Sequence, residues 1–512
     1  MKPLTDWIAP PGGWLEDFYA RRFLGAQWHM RMMEQRTQSF EEYQRNLLEL
    51  IIRQNEGTQW GRDHGFARLT ADDWGKMPVV TYEQVEPYVQ KIREGHCRAL
   101  TAEPAQSLAF TSGTTGQAKL VPYTATFIRQ EQKSGQYWSY LLKKNAAGGV
   151  NRALFLRGDM AVPQTEILPI RSYLSLTADA VPRCVRRRLA IPHCLRDITD
   201  FEHRFLIAAQ CTFIRRPRVI VTVVPTNILR LMDIARRYRD EIYNATAAGL
   251  YIGTDVPIRR MPDRAGVLDA IRNRDVMDSV TIIGTWLGGP QSLQLKLLRK
   301  HGVNVIYRDL GIVATEGRFS LPIENNTPTG LLNPFGPCFE FLTTDKQTIV
   351  PVPELTVGAE YNLVVTTRNG LYRYDMQDIV RVDGWYHAAP MISFRRKDAG
   401  FSAITGEKIH ENNVAELLER LGAGRGILIA EADPPHYILC LPSDYAGPDT
   451  DHADRLLCDI NVEYKETRRG ARLGPLEFRI MGNDEFERLD REINPNQDHD
   501  RFKRRILVPL PT

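Results

Sequence analysis

The spacing of apolar residues changes several times along the chain, and each change predicts a different kind of element. Up to about Asn55 the spacing is helical, with Leu47, Leu48, Ile51 and Ile52 forming one apolar face. From Ala109 to about Phe394, short β-branched runs alternate with helical stretches. The clearest runs are Val219-Ile220-Val221-Thr222-Val223, Ser279 to Ile283, Val303 to Tyr307 and Tyr361 to Thr367. That alternation predicts an α/β core. A charged bend, Arg395-Arg396-Lys397-Asp398, is expected after Phe394, and the texture changes beyond it. There a helix with Val414, Leu417, Leu418 and Leu421 on one face is ended by Gly422. A strand from Tyr437 to Leu441 runs into the turn-rich Pro442 to Pro448, and Ala453 to Tyr464 reads as one helix. A domain boundary is therefore expected near Lys397, giving a large domain over 1–396 and a smaller one over 397–512.

Composition narrows the class. With 512 residues, 43% hydrophobic and 25% charged, the chain is long enough for two or more domains, each with its own core. Its 66 basic and 62 acidic residues leave a net charge of +4, so no global field favours nucleic acid or membrane. The basic clusters Arg186-Arg187-Arg188, Arg215-Arg216-Pro217-Arg218 and Lys503-Arg504-Arg505 lack interleaved aromatics and read as solvated faces. Seven scattered cysteines with no C-x-x-C spacing argue against a disulfide framework or a zinc site. The opening residues carry no apolar signal core, and no run is long enough to span a membrane. The expected compartment is the cytoplasm.

The densest chemistry lies in Thr111-Ser112-Gly113-Thr114-Thr115-Gly116-Gln117-Ala118-Lys119. Gly113 and Gly116 let backbone N–H groups converge on one point, the hydroxyls add donors, and Lys119 adds a positive charge, a combination suited to a triphosphate. The apolar Leu108-Ala109-Phe110 before it predicts a strand, so the loop leaves a sheet edge. A Walker loop is excluded, because no Gly-Lys-Ser/Thr opens a helix.

Three further constellations follow. Tyr307-Arg308-Asp309-Leu310-Gly311-Ile312-Val313-Ala314-Thr315-Glu316-Gly317 places a carboxylate at a strand-exit turn, where it can hold Mg²⁺ against phosphate oxygens. Upstream, Trp286-Leu287-Gly288-Gly289 ends another strand with two glycines, suited to close approach of a flat ring. In Gly370-Leu371-Tyr372-Arg373-Tyr374-Asp375-Met376-Gln377-Asp378, Asp378 is the better placed of the two acids to accept ribose hydroxyls. Lys408, in Thr405-Gly406-Glu407-Lys408, and Lys503 are the late basic candidates. His64, His193, His387 and His410 read as structural.

Together and in this order, these motifs resemble the acyl-adenylate-forming superfamily. Within it the likeness is to the acyl-acid amido synthetases of the auxin-conjugating Gretchen Hagen family and their bacterial relatives. The likeness includes Asn55 to Gly61, His64-Gly65-Phe66, Pro78-Val79-Val80, Ala314-Thr315-Glu316-Gly317 and Gly370 to Tyr374. It continues through Asn461-Val462-Glu463-Tyr464, Arg472-Leu473-Gly474-Pro475 and the closing Phe502 to Val508. The resemblance implies an α/β acyl-adenylate-forming fold, with a large N-terminal α/β domain and a smaller mobile C-terminal α+β domain.

It also implies an enzyme that uses ATP and Mg²⁺ to activate a small carboxylic acid as acyl-AMP and passes the acyl group to an amine or amino acid. The phosphates would fall to Thr111, Ser112, Gly113, Thr114, Thr115, Gly116 and Lys119, and Mg²⁺ to Glu316 beside Thr315. The adenine would lie between Gly288-Gly289 and Tyr307, and the ribose on Asp378. Lys503 would serve adenylation and Lys408 the amide step, exchanged by rotation about Arg396-Lys397-Asp398. The middle section, with Trp138, Arg157 and the arginines near Arg187, is expected to shape the acyl pocket. A monomer is expected, with no nucleic-acid or membrane partner.

Three departures from the family pattern stand out. The phosphate loop is one residue short of the double-glycine form, Gln377 replaces a usual glycine, and Arg504 follows the closing lysine. The shorter loop keeps open an enzyme that hands its acyl group to coenzyme A, a carrier thiol or a hydroxyl. A non-enzymatic binding protein on the same fold is the third reading, and the intact loop, Glu316 and Lys503 argue against it.

Overall fold

A computed structural model describes residues 26–111, 119–144, 152–156, 168–171, 173, 189–195, 198, 200–223, 225–261, 263–288, 291–397, 401–493 and 506–510. Three hydrophobic cores organise them.

The first core gathers the N-terminal helices, a small sheet and a large antiparallel sheet. Helix Phe40–Asn55 buries Leu47, Ile51 and Ile52 of the expected stripe, with Leu48 partly buried against the same core and Phe40 added to it. The small sheet has Ala105–Thr111 at its centre, antiparallel to Lys119–Thr124 on one side and parallel to Ile170–Arg171 on the other. The large sheet has seven strands in the order Ser320–Leu321, Gly330–Leu332, Ala389–Lys397, Tyr374–Tyr386, Glu360–Thr366, Cys338–Thr343, Ile349–Val350. Every neighbouring pair is antiparallel, and the pair Tyr374–Tyr386 and Ala389–Lys397 needs only a two-residue connection.

The second core is a four-stranded parallel sheet, Ala153–Leu156, Val219–Thr222, Ile282–Gly284 and Ile306–Arg308, in that order. Helices Phe201–Arg215, Thr226–Arg237, Arg264–Asn273 and Gln291–Lys300 supply the crossovers that parallel strands require. Three of the β-branched runs thus supply strands of this sheet, two of them ending one residue further along the chain than the run, at Gly284 and Arg308.

The third core draws only on residues 404–507. Its sheet runs Glu477–Met481, Pro435–Pro442, Ile427–Ala432, Leu507–Val508. Alternation along Pro435–Pro442 sends Tyr437, Leu439 and Leu441 to the face covered by helices Glu411–Arg420, Thr450–Ile460 and Val462–Arg469. Ile438 and Cys440 face the opposite way, against Phe486 of helix Asn483–Ile493.

Two expected elements differ. The charged bend after Phe394 is not a bend through Lys397, because strand Ala389–Lys397 continues to that residue, with Ile379 opposite Arg396 and Asp378 opposite Lys397. Asp398 lies outside the described residues. The helix expected from Ala453 to Tyr464 is two helices, broken at Asn461. Asn461 leaves helical geometry at ψ 109°, and its side chain accepts the N–H of Tyr464, so it caps the second helix instead of continuing the first. No described helix is long and apolar enough to cross a membrane.

Candidate active site

The hairpin Ala105–Thr111/Lys119–Thr124 delivers both ends of the hydroxyl-rich loop to one place, with Thr111 directly opposite Lys119. Ser112, Gly113, Thr114, Thr115 and Gly116 lie outside the described residues, and only the backbone of Thr111 is described. Tyr82 fixes the hairpin's outgoing strand. Its hydroxyl donates to the Leu120 carbonyl at 3.1 Å and accepts the Leu120 N–H at 2.8 Å. The Lys119 ammonium sits over the Tyr82 ring, 5.2 Å from its centre.

Glu316 stands in the tight turn between Val313–Ala314 and Gly317–Arg318, buried at 9% exposure. Gly317 takes φ +144°, a backbone shape that favours glycine, and this sets the turn. The preceding carbonyl, Thr315, accepts the Tyr123 hydroxyl at 2.5 Å. Tyr82, Tyr123 and Tyr374 all feel Glu316: burial first, then neighbouring acids including Glu316, push the Tyr82 hydroxyl up to about 12 and raise the other two. The structure thus brings Lys119, Glu316 and a tyrosine trio around this hairpin. Among the described residues no group of three or more His, Cys, Asp or Glu could cage a metal ion. Two buried carboxylates, Glu316 and Glu131, lie near this turn, and a small number of carboxylates suits an ion shared with phosphate oxygens.

Next to this cluster, Asp309 ties two strand-exit loops together. Its carboxylate accepts the N–H of Leu287 at 2.7 Å and that of Gly311 at 2.6 Å. Burial pushes its pKa up to about 7, partly offset by those two N–H bonds and by the charge of Arg318. Trp286 donates to the Gly311 carbonyl and Trp138 to the Asp309 carbonyl. Trp138 therefore braces this junction; Arg157 and Arg187 lie outside the described residues. Gly288 approaches strand Ala389–Lys397 so closely that an added Cβ would stand 3.2 Å from the Phe394 carbonyl. Gly289 is outside the described residues.

Tyr307 is 1% exposed within the second core, and its hydroxyl donates to the Val303 carbonyl at 2.6 Å.

In the third constellation Asp375 is already engaged, accepting the Gln377 N–H at 2.8 Å and paired with Lys346 at 3.1 Å. Asp378 lies on the same strand at 4% exposure, opposite Lys397. Gln377 between them takes φ +53°, where the pairing with Glu360–Thr366 shifts register. The glycine-like backbone is kept even though the residue is glutamine.

Sequence reasoning missed Arg373. Its guanidinium grips Glu340 at two points, 2.8 and 3.0 Å, and donates to the carbonyls of Gly75 and Met77. It also missed Tyr82, Tyr123 and Asp309, each of which bonds a residue more than twenty positions away. Lys408 belongs to the third core's surface, at the end of the loop that opens strand Ile409–His410. Lys503 lies outside the described residues.

A strand hairpin beside a buried glutamate turn, together with a four-stranded parallel sheet and a seven-stranded antiparallel one, fits an adenylate-forming type of fold. The GH3 family N-terminal domain matches residues 29–253 and the GH3 family central domain residues 331–397, together more than half of the chain. The chain belongs to the GH3 family. Among its relatives is the indole-3-acetic acid-amido synthetase GH3.3 of Arabidopsis thaliana, 22% identical over 90% of this chain and 88% of that protein. Another is the jasmonoyl-L-amino acid synthetase JAR6 of Nicotiana attenuata, 23% identical over 89% of each. In fold the chain is similar to the solved AtGH3.15 acyl acid amido synthetase in complex with 2,4-DB. There the TM-score is 0.66 and the identity 20%, covering 99% of this chain and 95% of that one.

Proposed function

We propose that the protein is an acyl-acid amido synthetase: it activates a small carboxylic acid with ATP as acyl-AMP and transfers the acyl group to an amine or amino acid. The observation that carries this reading is the convergence of Lys119, Glu316 and Tyr82 at the base of the hydroxyl-rich loop. The amido synthetases among its relatives, matched over nearly their full length, support it.

In the first step a carboxylate oxygen attacks the α-phosphorus, the bond to the bridging oxygen breaks, and pyrophosphate leaves with the electron pair. The chain's task is to align these atoms and balance the charge that develops. Lys119 and the loop hydroxyls bind the phosphates, and Asp378 orients the ribose. Glu316 would hold Mg²⁺ together with phosphate oxygens, and the ion would supply charge neutralisation there. In the second step a neutral amine nitrogen attacks the acyl carbon, the carbon–oxygen bond to phosphate breaks, and AMP leaves. The nitrogen's extra proton passes to a base or water. Lys503 serves the first step and Lys408 the second.

The test is AMP release from ATP and Mg²⁺ across a panel of carboxylic acids against amino acids, simple amines and coenzyme A, with mass spectrometry of each active mixture. AMP that requires both an acid and an amine, with the matching amide mass, supports the reading. Turnover that requires coenzyme A transfers the protein to the thioester-forming class, and silence across the panel refutes the proposal for those substrates.

A further inference from the structure

Three sequence motifs belong to the small C-terminal core, and only Lys408 among their residues has a role so far: Thr405-Gly406-Glu407-Lys408, Asn461-Val462-Glu463-Tyr464 and Arg472-Leu473-Gly474-Pro475. In the structure they meet. Glu407 is fully buried and folds back on its own loop. One carboxylate oxygen accepts the Ile404 N–H at 2.7 Å and the Tyr437 hydroxyl at 2.8 Å. The other accepts the Thr405 N–H at 2.9 Å and the Thr405 hydroxyl at 2.6 Å. Gly406, at φ +114°, makes that closure possible without strain. Arg472 donates to the Thr405 carbonyl at 3.3 Å, bracing the loop from the third motif.

The residue after Glu407 is Lys408, and its backbone is held from the other side. The side-chain amide of Asn461 donates to the Lys408 carbonyl at 2.7 Å and to Asn413 Oδ1 at 3.1 Å. Asn413 Oδ1 in turn accepts the His410 N–H at 3.0 Å, fixing the chain just beyond Lys408. Asn461 is 9% exposed, and its remaining oxygen caps helix Val462–Arg469 through the Tyr464 N–H at 2.8 Å. One buried amide therefore uses both ends. Its oxygen starts a helix, and its nitrogen holds the backbone of a lysine 53 residues earlier in the chain. This is a costly place for a polar side chain unless each bond is made, and each is made.

We propose that Asn461 is a positioning residue for the amide-forming step: it fixes the backbone from which Lys408 reaches the acyl-AMP and the incoming amine. This rests on the reading that Lys408 acts in that step. A lysine side chain has four rotatable bonds, so a tether at its own carbonyl removes the largest lever arm for error while leaving the ammonium adjustable. Glu407 fixes the loop's shape, and Asn461 fixes where that loop stands relative to the helix pair.

The experiment measures the two half-reactions separately, with the acid and amine that give an amide in the panel above. Pyrophosphate exchange into ATP reports adenylation; amide formation from preformed acyl-AMP reports transfer. Asn461→Asp keeps the oxygen that caps the Tyr464 N–H but turns an acceptor towards the Lys408 carbonyl. Asn461→Ser keeps a capping oxygen and removes the donor. Both variants should leave exchange within about twofold and lower kcat for transfer about tenfold or more, with the KM for the amine little changed. Asn461→Ser added to Lys408→Ala should be no slower than Lys408→Ala alone, because both act through one group.

Wild-type transfer in both Asn461 variants, alongside slow transfer in Lys408→Ala, overturns the positioning role and leaves the reading of Lys408 standing. Equal losses in both half-reactions with a lowered Tm also overturn it, reducing Asn461 to a folding role. Unimpaired transfer in Lys408→Ala removes the reading on which the proposal rests, and a silent panel removes both.

Discussion

Asp309 accepts the backbone N–H of Leu287 at 2.7 Å, a bond that joins the exits of two neighbouring parallel strands. A second bond from Gly311, at 2.6 Å, makes Asp309 the tie between the glycine turn at 288 and the segment leading to Glu316. Gly311 itself takes φ +83°, a position where a side chain would meet the Ser320 carbonyl.

The protonation of Asp309 should be visible in stability. Its folded pKa, pushed up to about 7 by burial, lies above the usual carboxylate value. A raised acid favours folding fully below its unfolded pKa, and that contribution is lost as pH rises through the folded one. Asp309→Asn cannot titrate and can accept through one oxygen only. Its cost should be greatest near pH 4 to 5 and smaller at pH 8, on the order of a few kcal/mol across that window. Thermal melts of both proteins at the two pH values check this; an equal cost at both would refute it.

Arg373 and Glu340 form a two-pronged pair with side-chain exposures of 5% and 19%. Removing either partner leaves a buried charge unmatched, so Glu340→Ala should destabilise by about 3–5 kcal/mol. Arg373→Lys should also cost stability, because an ammonium cannot reproduce the fork that reaches Glu340, Gly75 and Met77 together. Chemical denaturation gives both values, and a change below 1 kcal/mol for Glu340→Ala, on the order of a surface pair, would contradict the geometry.

Gln377→Gly should stabilise the protein, by about 0.5–1 kcal/mol, since Gln377 is held at φ +53° where glycine carries no steric penalty. The bond from its N–H to Asp375 survives the change. The denaturation midpoint would move up; a downward shift would mean that the glutamine side chain contributes more than the strained backbone costs.

Lys503→Ala should suppress adenylate formation yet spare amide formation from synthetic acyl-AMP. Glu316→Ala and Lys119→Ala should each slow adenylation by about 10²-fold or more, as lost charge stabilisation does. Asp378→Ala should raise the KM for ATP. Separate assays of the half-reactions decide, and equal loss of both steps in Lys503→Ala would argue against a division of labour.

Much of this was legible in the sequence. The stripe on Phe40–Asn55, the parallel strands and the Val414–Leu421 face came out where spacing put them, because burial on one side dictates period. Lys119 and Glu316 were singled out for their chemistry and do share the hairpin region. The burial of Tyr307 was not legible, because which side of a strand the helices cover is set by tertiary packing. Nor was the break at Asn461, whose oxygen caps the second helix through the Tyr464 N–H while its nitrogen holds a carbonyl 53 residues away. Arg395 to Lys397 read as a bend because charges cluster there, yet strand pairing with Asp378 and Ile379 carries the chain through.

The Arg373 clamp bears on how the protein could be divided. Val80 donates to the Arg373 carbonyl at 2.9 Å and accepts the Asp375 N–H at 2.9 Å, while Arg373 reaches back to Gly75 and Met77. Residues 75–80 belong to the family's N-terminal region and residues 373–375 to its central region. The two regions are stitched as neighbouring threads of one fabric. A fragment spanning 331–397 alone would carry a guanidinium stripped of two carbonyls and a strand edge stripped of its cover, and should not fold as an independent unit.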